Sequence, residues 1–392
     1  MAAKHLTPEA VHRAALVIDT HADTPQRLLD ENYDLAQPLD GGNFNLETAR
    51  AGNLGAEFFS IWAEPSLYKG RCGQRSLALI DAVKQQAARH PDALLMADSP
   101  GEIERARSLG KLALLIGIEG GHSIEGSLDL LRLFHALGAR YMTLTWNNSN
   151  GWADSSSDLD DPRVTHTKNG LSAFGEEVIR EMNRLGMIVD ISHASERTLA
   201  RTLAVSRAPV IASHSSARAL CDVPRNLGDS EIRAIASSGG PQSRGGVVQV
   251  NFYSGFLSPH YRDMLQKLKP EIDREIEAYQ QRAKAEERVV KSAELETIRQ
   301  AAADRIPRPP FSMLIDHIDY IAKVAGVDHV GLGSDFDGVA GQLPQGMNSP
   351  ADLPAITAAL LARGYTPEDC GKILGGNFMR VFREVEALAR KP

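Results

Sequence analysis

The sequence predicts an α/β fold, a (β/α)8 barrel, from two observations. Apolar runs of strand length alternate with segments whose apolar residues recur at helical spacing, a pattern typical of a parallel sheet covered by helices. Eight such units favour a closed barrel. An open doubly wound sheet has less support, because no GxGxxG motif follows the first apolar run. The predicted strands are residues 15–20, 55–62, 112–118, 141–145, 187–191, 209–213, 246–251 and 329–333.

Amphipathic segments between these strands predict the helices. In the clearest one Phe174, Val178 and Met182 recur at helical spacing, and Gly186 is placed to end the helix. The predicted helices are residues 76–90, 127–137, 171–185, 195–206, 228–237 and 311–325.

Two segments extend the plain barrel. Residues 255–310 form an insertion after the seventh strand, and residues 271–300 within it interleave Glu, Lys, Arg, Gln and Ala, which favour helix. We expect a long exposed helix or a helical hairpin there, as a solvated insertion, a lid or a dimer contact. Residues 350–390 predict two or three more helices that close the bottom or side of the barrel. One barrel domain is expected over residues 1–392.

Composition and charge narrow the classes of function. Of the 392 residues 43% are hydrophobic and 24% charged, and the formal net charge is −7 at pH 7. This balance argues against a nucleic-acid partner and favours a small uncharged or zwitterionic ligand. The three cysteines, Cys72, Cys221 and Cys370, lie far apart and without a CxxC pair, so they predict structural thiols rather than a disulfide framework or a zinc ribbon.

The N-terminal segment predicts a cytoplasmic protein with no membrane partner. Its only apolar run, residues 15–19, is too short for the core of a signal peptide or for a membrane span. A trimmed export signal would leave the same sequence, so that alternative stays open.

Several predicted strands end at side chains that can bind a metal ion. His21 and Asp23 follow the first strand, and residues i and i+2 of an extended chain point to the same face. Glu119 follows the third strand, where it could bridge two ions or form a salt bridge. His193 and His214 follow the fifth and sixth strands. Each residue alone has a structural explanation, but their shared place at one barrel mouth indicates a metal site.

The ligand types indicate the metal, and two more residues indicate the chemistry. Neutral imidazoles and carboxylates suit zinc and its first-row neighbours. Asp335 ends the eighth strand in GLGSDFDG, where a carboxylate beside metal-bound water is a natural proton carrier. Arg225, on a loop after the sixth strand, is either a surface arginine or a group that holds a substrate carboxylate through two hydrogen bonds.

Eight longer blocks of the sequence form a recognisable series. They are VIDTHADTP, GIEGGHSIEG, YMTLTWNNSNGWADSS, GLSAFGEEVIREMNRLGMIVDISHAS, PVIASHSSARAL, PRNLGD, GLGSDFDG and GGNFMRVF. They run in this order from about residue 11 to the C-terminus, and the insertion is the least similar part. The series resembles the membrane dipeptidase family, also called renal dipeptidases, within the metal-dependent amidohydrolase superfamily.

The resemblance implies a barrel hydrolase with two zinc ions, or with other divalent metals. His21 and Asp23 would bind the first ion, His193 and His214 the second, and Glu119 would bridge them. The implied reaction is hydrolysis of dipeptides, including those with a C-terminal D-residue, by a hydroxide that the two ions activate.

The same resemblance implies further roles. Asp335 would be the catalytic acid–base, Arg225 would hold the substrate carboxylate, and a homodimer is expected. The family often has a histidine after YMTLT that polarises the scissile carbonyl. This chain has Trp146, which can donate one hydrogen bond but carries no proton charge. Asn147 or Asn148 could supply the missing donor, and we expect Trp146 and Asn147 to contact the substrate.

Trp146 also leaves other functions open. The same metal site could act on another small amide, lactam or lactone, or serve as a tailoring enzyme in a biosynthetic pathway. A third alternative is a non-catalytic barrel that binds metal or a partner protein through the charged insertion. Retention of all five ligand residues and Asp335 weighs against it.

Overall fold

A parallel barrel forms the centre of the protein. The computed structural model describes residues 6–389, apart from positions 168, 289 and 291. The strands within these residues are β1 (Val17–Ala22), β2 (Leu54–Trp62), β3 (Leu94–Met96), β4 (Leu112–Glu119), β5 (Ala139–Thr143), β6 (Ile188–Asp190), β7 (Ile211–Ala212), β8 (Val247–Val250) and β9 (Val330–Leu332). All eight predicted strands are present, and the predicted barrel is confirmed.

The barrel strands are hydrogen-bonded in the order β1-β2-β4-β5-β6-β7-β8-β9. β1 and β9 meet at a parallel bridge between Ala22 and Phe336, and the Asp335 backbone N–H donates to the His21 carbonyl at 2.9 Å. The seam of the barrel is therefore made by residues beside two predicted site residues. β3 pairs with β4 outside the ring. β3 was not predicted, because its three residues are too few to show a strand period in the sequence.

Helices surround the barrel. Those in the described residues are α1 (Pro8–Ala14), α2 (Pro25–Asp30), α3 (Leu46–Ala51), α4 (Cys72–Arg89), α5 (Pro100–Ser108), α6 (Leu128–Ala136), α7 (Ala173–Leu185), α8 (Glu196–Val205), α9 (Asp229–Ala236), α10 (Ser254–Leu257), α11 (Pro259–Ala285), α12 (Ser292–Ala303), α13 (Ser312–Ala325), α14 (Pro354–Ala362), α15 (Pro367–Gly371) and α16 (Asn377–Leu388). Every predicted helix is present, and Gly186 ends α7 in the left-handed conformation with φ 74°.

The C-terminal helix α16 closes the bottom of the barrel. Residues from the first halves of the barrel strands form one buried cluster with the apolar face of α16. Within it the ring of Phe58 lies 5.2 Å from that of Tyr141 and 5.1 Å from that of Phe378, measured between centroids. This end is therefore filled with apolar side chains, and the strand ends that carry the polar residues face the other way.

The predicted insertion is a helical hairpin of α11 and α12, placed after the seventh barrel strand, β8. The two helices share a small apolar cluster of their own, formed by Tyr279, Ala283 and Leu295. The second of these helices, α12, also packs against α2.

Candidate active site

The five predicted metal ligands converge at the carboxyl ends of the strands. His21 Nε2 lies 3.5 Å from Asp23 Oδ2 and 3.5 Å from Glu119 Oε2. The other oxygen of Glu119, Oε1, lies 3.1 Å from His193 Nε2 and 3.7 Å from His214 Nε2. The two carboxylate oxygens of Glu119 therefore face two different groups of side chains, one on each side.

A buried tyrosine orients His21. The Tyr141 hydroxyl donates to the Thr20 carbonyl at 3.0 Å, so it accepts from His21 Nδ1, which lies 3.0 Å away. This pairing leaves Nε2 of His21 directed at the carboxylates. Gly117 makes room for Tyr141, because a Cβ at this position would lie only 2.0 Å from the tyrosine ring. A glycine in β4 thus supports a histidine of β1 through the interior of the barrel.

The other two histidines are oriented in the same way. Asn147 Oδ1 lies 2.9 Å from His193 Nδ1 and, as an amide oxygen, accepts a hydrogen bond from the Nδ1–H group. The Ser213 hydroxyl donates to Asp190 at 2.6 Å and so accepts from His214 Nδ1, at 2.8 Å. The Nε2 atoms of both rings then point at each other across 2.9 Å. Nitrogen lone pairs converging on a carboxylate in this way are a donor set that fits divalent cations.

The electrostatics agree with this fit. Burial, with the charge of Arg225 next in size, lowers the pKa of His193 to about 3. Burial likewise holds the pKa of His214 well below its ordinary value, so both rings are neutral at neutral pH. Burial is the largest influence on Glu119 and opposes its ionisation, but the charges and hydrogen bonds of His21 and His193 together outweigh burial and hold the Glu119 pKa well below the usual range. The site therefore presents an ionised Glu119 carboxylate beside two neutral imidazoles, those of His193 and His214.

Asp335 lies beside the His21 side of the site. One ligand atom each of His21, Asp23 and Asp335 falls within 4.8 Å of the others. Asp335 Oδ2 accepts a hydrogen bond from Asn251 Nδ2 at 2.9 Å, and this bond does not involve the other carboxylate oxygen, Oδ1. Burial raises the pKa of Asp335 to about 7; His21 opposes the shift, and the charges of Asp23 and Glu119 add to it. A carboxyl group of this kind can both accept and release a proton near neutral pH.

The backbone at the site is under local strain. His193 and Asp335 both have φ 65°, in the left-handed region that side chains other than glycine rarely adopt. Gly338 lies against the same carboxylates, because a Cβ there would meet Asp23 Oδ2 at 2.1 Å and Asp335 Oδ1 at 2.4 Å. The loop after β9 is therefore packed onto the site with no room for a larger residue.

Arg225 lies beside His214. Its Nη2 donates to the His214 carbonyl at 3.1 Å, and its guanidinium carbon lies 5.3 Å from the centre of the Phe256 ring. Arg225 is buried, and burial lowers its pKa to about 10, so it remains a cation at neutral pH. The alternative of a surface arginine is wrong. A buried cation without a carboxylate ion pair among the described residues suits an anionic ligand group.

The comparisons with known proteins decide the family. The model of the family described as membrane dipeptidase (peptidase family M19) matches residues 7–392. Dipeptidase 3 of Macaca fascicularis and Dipeptidase 3 of Homo sapiens are each 32% identical to the chain over 383 residues, which is 96% of this chain and 67% of each relative. The chain belongs to the membrane dipeptidase family. The predicted class, a metal-dependent hydrolase, is thereby confirmed.

Solved structures agree with this membership. The probable dipeptidase PvdM from Pseudomonas aeruginosa is 27% identical to this dipeptidase family member, with a TM-score of 0.82 over 97% of this chain and 98% of that chain. A metallo peptidase from Rhodobacter sphaeroides, liganded with a phosphinate mimic of the dipeptide L-Ala-D-Ala, is 23% identical with a TM-score of 0.75 over 95% and 99% of the two chains. The latter shows a shared fold.

The predicted cytoplasmic location is wrong for this dipeptidase family member. The matching family is described as membrane dipeptidase, and the relatives with which the chain shares 32% identity are named Dipeptidase 3. The prediction was drawn from a five-residue apolar run, and a short run of this kind is compatible with more than one location. No helix in the described part of the chain is both long and apolar enough to span a membrane.

Trp146 lies at the mouth of the candidate site, and Asn147 lies behind His193. The Trp146 ring is 4.8 Å from that of Trp62 and 6.5 Å from that of His193, measured between centroids. Asn147 Oδ1 is bonded to His193, so the structure shows it orienting that ring. Contact of Trp146 or Asn147 with substrate stays a prediction.

Four supporting residues were missed by the sequence analysis. Trp62 is the last residue of β2, and Asn251 directly follows β8. Their position at strand ends, the feature by which the predicted metal-binding residues were chosen, would also have indicated these two. Ser60 donates to Glu119 Oε2 at 2.8 Å and Tyr141 holds His21, and both lie inside predicted strands. Alternation along those strands places them on the barrel interior, but no local feature marks them as partners of a ligand.

Proposed function

We propose that the chain hydrolyses the peptide bond of dipeptides, including those with a C-terminal D-residue, with two divalent cations, zinc foremost. The observation that carries this proposal is the division of Glu119. One of its oxygens faces His21 and Asp23, and the other faces His193 and His214. The first group would hold one cation and the second group the other, with one carboxylate oxygen of Glu119 available to each.

The protein residues supply proton transfer and binding around this centre. Bound divalent cations would polarise the scissile carbonyl and lower the pKa of water. Asp335 Oδ1 accepts the proton that the attacking water gives up and delivers it to the leaving amine nitrogen, so the water oxygen ends on the carbonyl carbon and the proton on the amine. Asn251 holds Oδ2 and so keeps the carboxyl group facing the reaction.

Arg225 binds the C-terminal carboxylate of the substrate. Its guanidinium is buried beside His214, and its Nε finds no hydrogen-bond partner among the described residues. A substrate carboxylate would satisfy this buried donor. Because Arg225 contacts the backbone of a proposed ligand, a carboxylate held there lies close to the scissile bond, and this favours substrates of two residues.

A second function is favoured by one observation. Trp146 occupies the position where the family often has a histidine, and its ring packs on Trp62 at the mouth of the site. The pair forms an apolar surface that suits a different small amide, lactam or lactone. The same site would then act on a small substrate other than a dipeptide.

A substrate panel on metal-stripped protein tests both functions. The stripped protein is restored with Zn²⁺ and assayed with L,L-dipeptides, with L,D-dipeptides such as L-Ala-D-Ala, with N-acyl amino acids and with lactones. Metal-dependent turnover of dipeptides is the expected result. Turnover confined to N-acyl amino acids or lactones would replace dipeptide hydrolysis with the second function, and activity unaffected by metal removal would overturn both.

A further inference from the structure

The second helix of the insertion, α12, lies on the loops that carry two site residues. The Glu296 carboxylate accepts the backbone N–H of Ala340, five residues beyond Asp335. Gln300 Oε1 lies 3.0 Å from the place that a Cβ on Gly341 would take. α12 also packs against α2, which begins two residues after Asp23. The insertion therefore covers the Asp23 side of the barrel mouth.

Glu296 brings a negative charge to this side of the mouth. Its side chain is 31% exposed, so solvent and small ligands reach it, and Arg299 Nη1 lies 3.1 Å from its Oε2. Burial raises the pKa of Glu296; Arg299 opposes the shift, and the nearby Asp23 carboxylate adds to it. The Glu296 carboxylate thus has one cationic partner, the partly exposed Arg299, and one acidic neighbour, Asp23. A second cation would therefore stabilise the Glu296 carboxylate.

An aromatic wall connects Glu296 to the residue proposed to bind the substrate carboxylate. Arg225 lies over the Phe256 ring at 5.3 Å, and that ring packs edge-on against Tyr253 at 4.8 Å. Burial raises the pKa of Tyr253; Tyr261 adds to the shift, and the charges of Glu296 and Asp335 add further. The mouth is therefore cationic at the His214 side and acidic at the Asp23 side, with Phe256 and Tyr253 between them.

A dipeptide carries the complementary charges, an ammonium at one end and a carboxylate at the other. With its carboxylate on Arg225, its ammonium is directed along this wall toward α12. We infer that Glu296 binds the free α-amino group of the substrate and makes the enzyme selective for dipeptides with an unblocked N-terminus. This inference rests on the proposed dipeptidase function and adds a specificity residue that the insertion supplies.

The test is Glu296→Gln, which keeps the shape of the side chain and removes its charge. L-Ala-D-Ala carries the amine, and N-propionyl-D-alanine has the same skeleton without it. We expect KM for L-Ala-D-Ala to rise about tenfold or more, as for loss of a charge-assisted hydrogen bond, with kcat within about twofold. The apparent affinity for N-propionyl-D-alanine, as substrate or inhibitor, should not change. Equal effects on both compounds, or no effect on either, would overturn the inference.

Two further variants provide a second test of the inference and a control. Arg299→Gln removes the competing cation, so KM for L-Ala-D-Ala should fall while the affinity for N-propionyl-D-alanine stays the same; a rise would count against the inference. Glu275→Gln changes an exposed glutamate on α11 and should match the wild type in both measurements. If the wild type hydrolyses no dipeptide, the proposed function fails. If it does and Glu296→Gln behaves like it, only the role of Glu296 fails.

Discussion

Glu57 is a buried acid whose replacement should stabilise the protein in a pH-dependent way. It lies in β2 opposite Asp19 of β1, with no exposed surface, and neither of its carboxyl oxygens has a hydrogen-bond partner among the described residues. Burial raises its pKa well above the ordinary value of 4.5, and the charge of Asp19 adds to the shift. The folded chain therefore keeps Glu57 protonated at a pH where the unfolded chain has released the proton.

The size of the effect follows from this difference in bound protons. Below pH 4.5 both states hold the proton and Glu57 carries no pH-linked cost. As the pH rises above 4.5, unfolding releases the proton, and the free energy of unfolding falls by about 1.4 kcal/mol per pH unit until the folded-state pKa is reached. In Glu57→Gln the carboxyl group that releases this proton is absent. Its stability relative to the wild type should therefore increase with pH above 4.5, for as long as the folded chain still holds the proton on Glu57.

Urea unfolding at pH 5, 6 and 7, followed by circular dichroism at constant ionic strength, measures this slope. Only the pH dependence of the difference in unfolding free energy between Glu57→Gln and wild type tests this prediction. Replacing the carboxyl group by an amide also changes the unfolding free energy by an amount that is the same at every pH. Glu177→Gln, at an exposed position of α7, is the matched control and should show no slope. A difference between Glu57→Gln and wild type that stays flat from pH 5 to pH 7 would refute the assignment of a protonated Glu57.

Three more predictions concern the site. Asp335→Asn should retain metal by elemental analysis and lower kcat about 10²–10⁴-fold; wild-type turnover would remove Asp335 from proton transfer. Gly338→Ala brings a Cβ within 2.1 Å of Asp23 Oδ2 and should lower kcat/KM about 10²-fold without removing a ligand, and unchanged kinetics would contradict the packing. Arg225→Met should raise KM for dipeptides about 30-fold or more, while hydrolysis of a substrate without a carboxylate is unaffected.

The insertion shows where prediction from the sequence stops. Its helices could be predicted because Glu, Lys, Arg, Gln and Ala favour helix over residues 271–300. Its place on the molecule could not, since the contact of Glu296 with Ala340 joins two segments through packing and has no local pattern. The same holds for Tyr141 and His21, which are 120 positions apart and share a hydrogen bond inside the barrel.

The sequence by itself determined the eight-stranded barrel and the end of it that carries the chemistry. Strand period, helical period and the residues that follow each apolar run are local properties, and parallel strands in a barrel bring their carboxyl ends together. Only the tertiary structure decided which oxygen of Glu119 faces which histidines, which nitrogen of each ring is free, and which side of the mouth α12 covers. Those features depend on distances of a few ångströms between residues far apart in the chain, and packing of the complete barrel is what sets such distances.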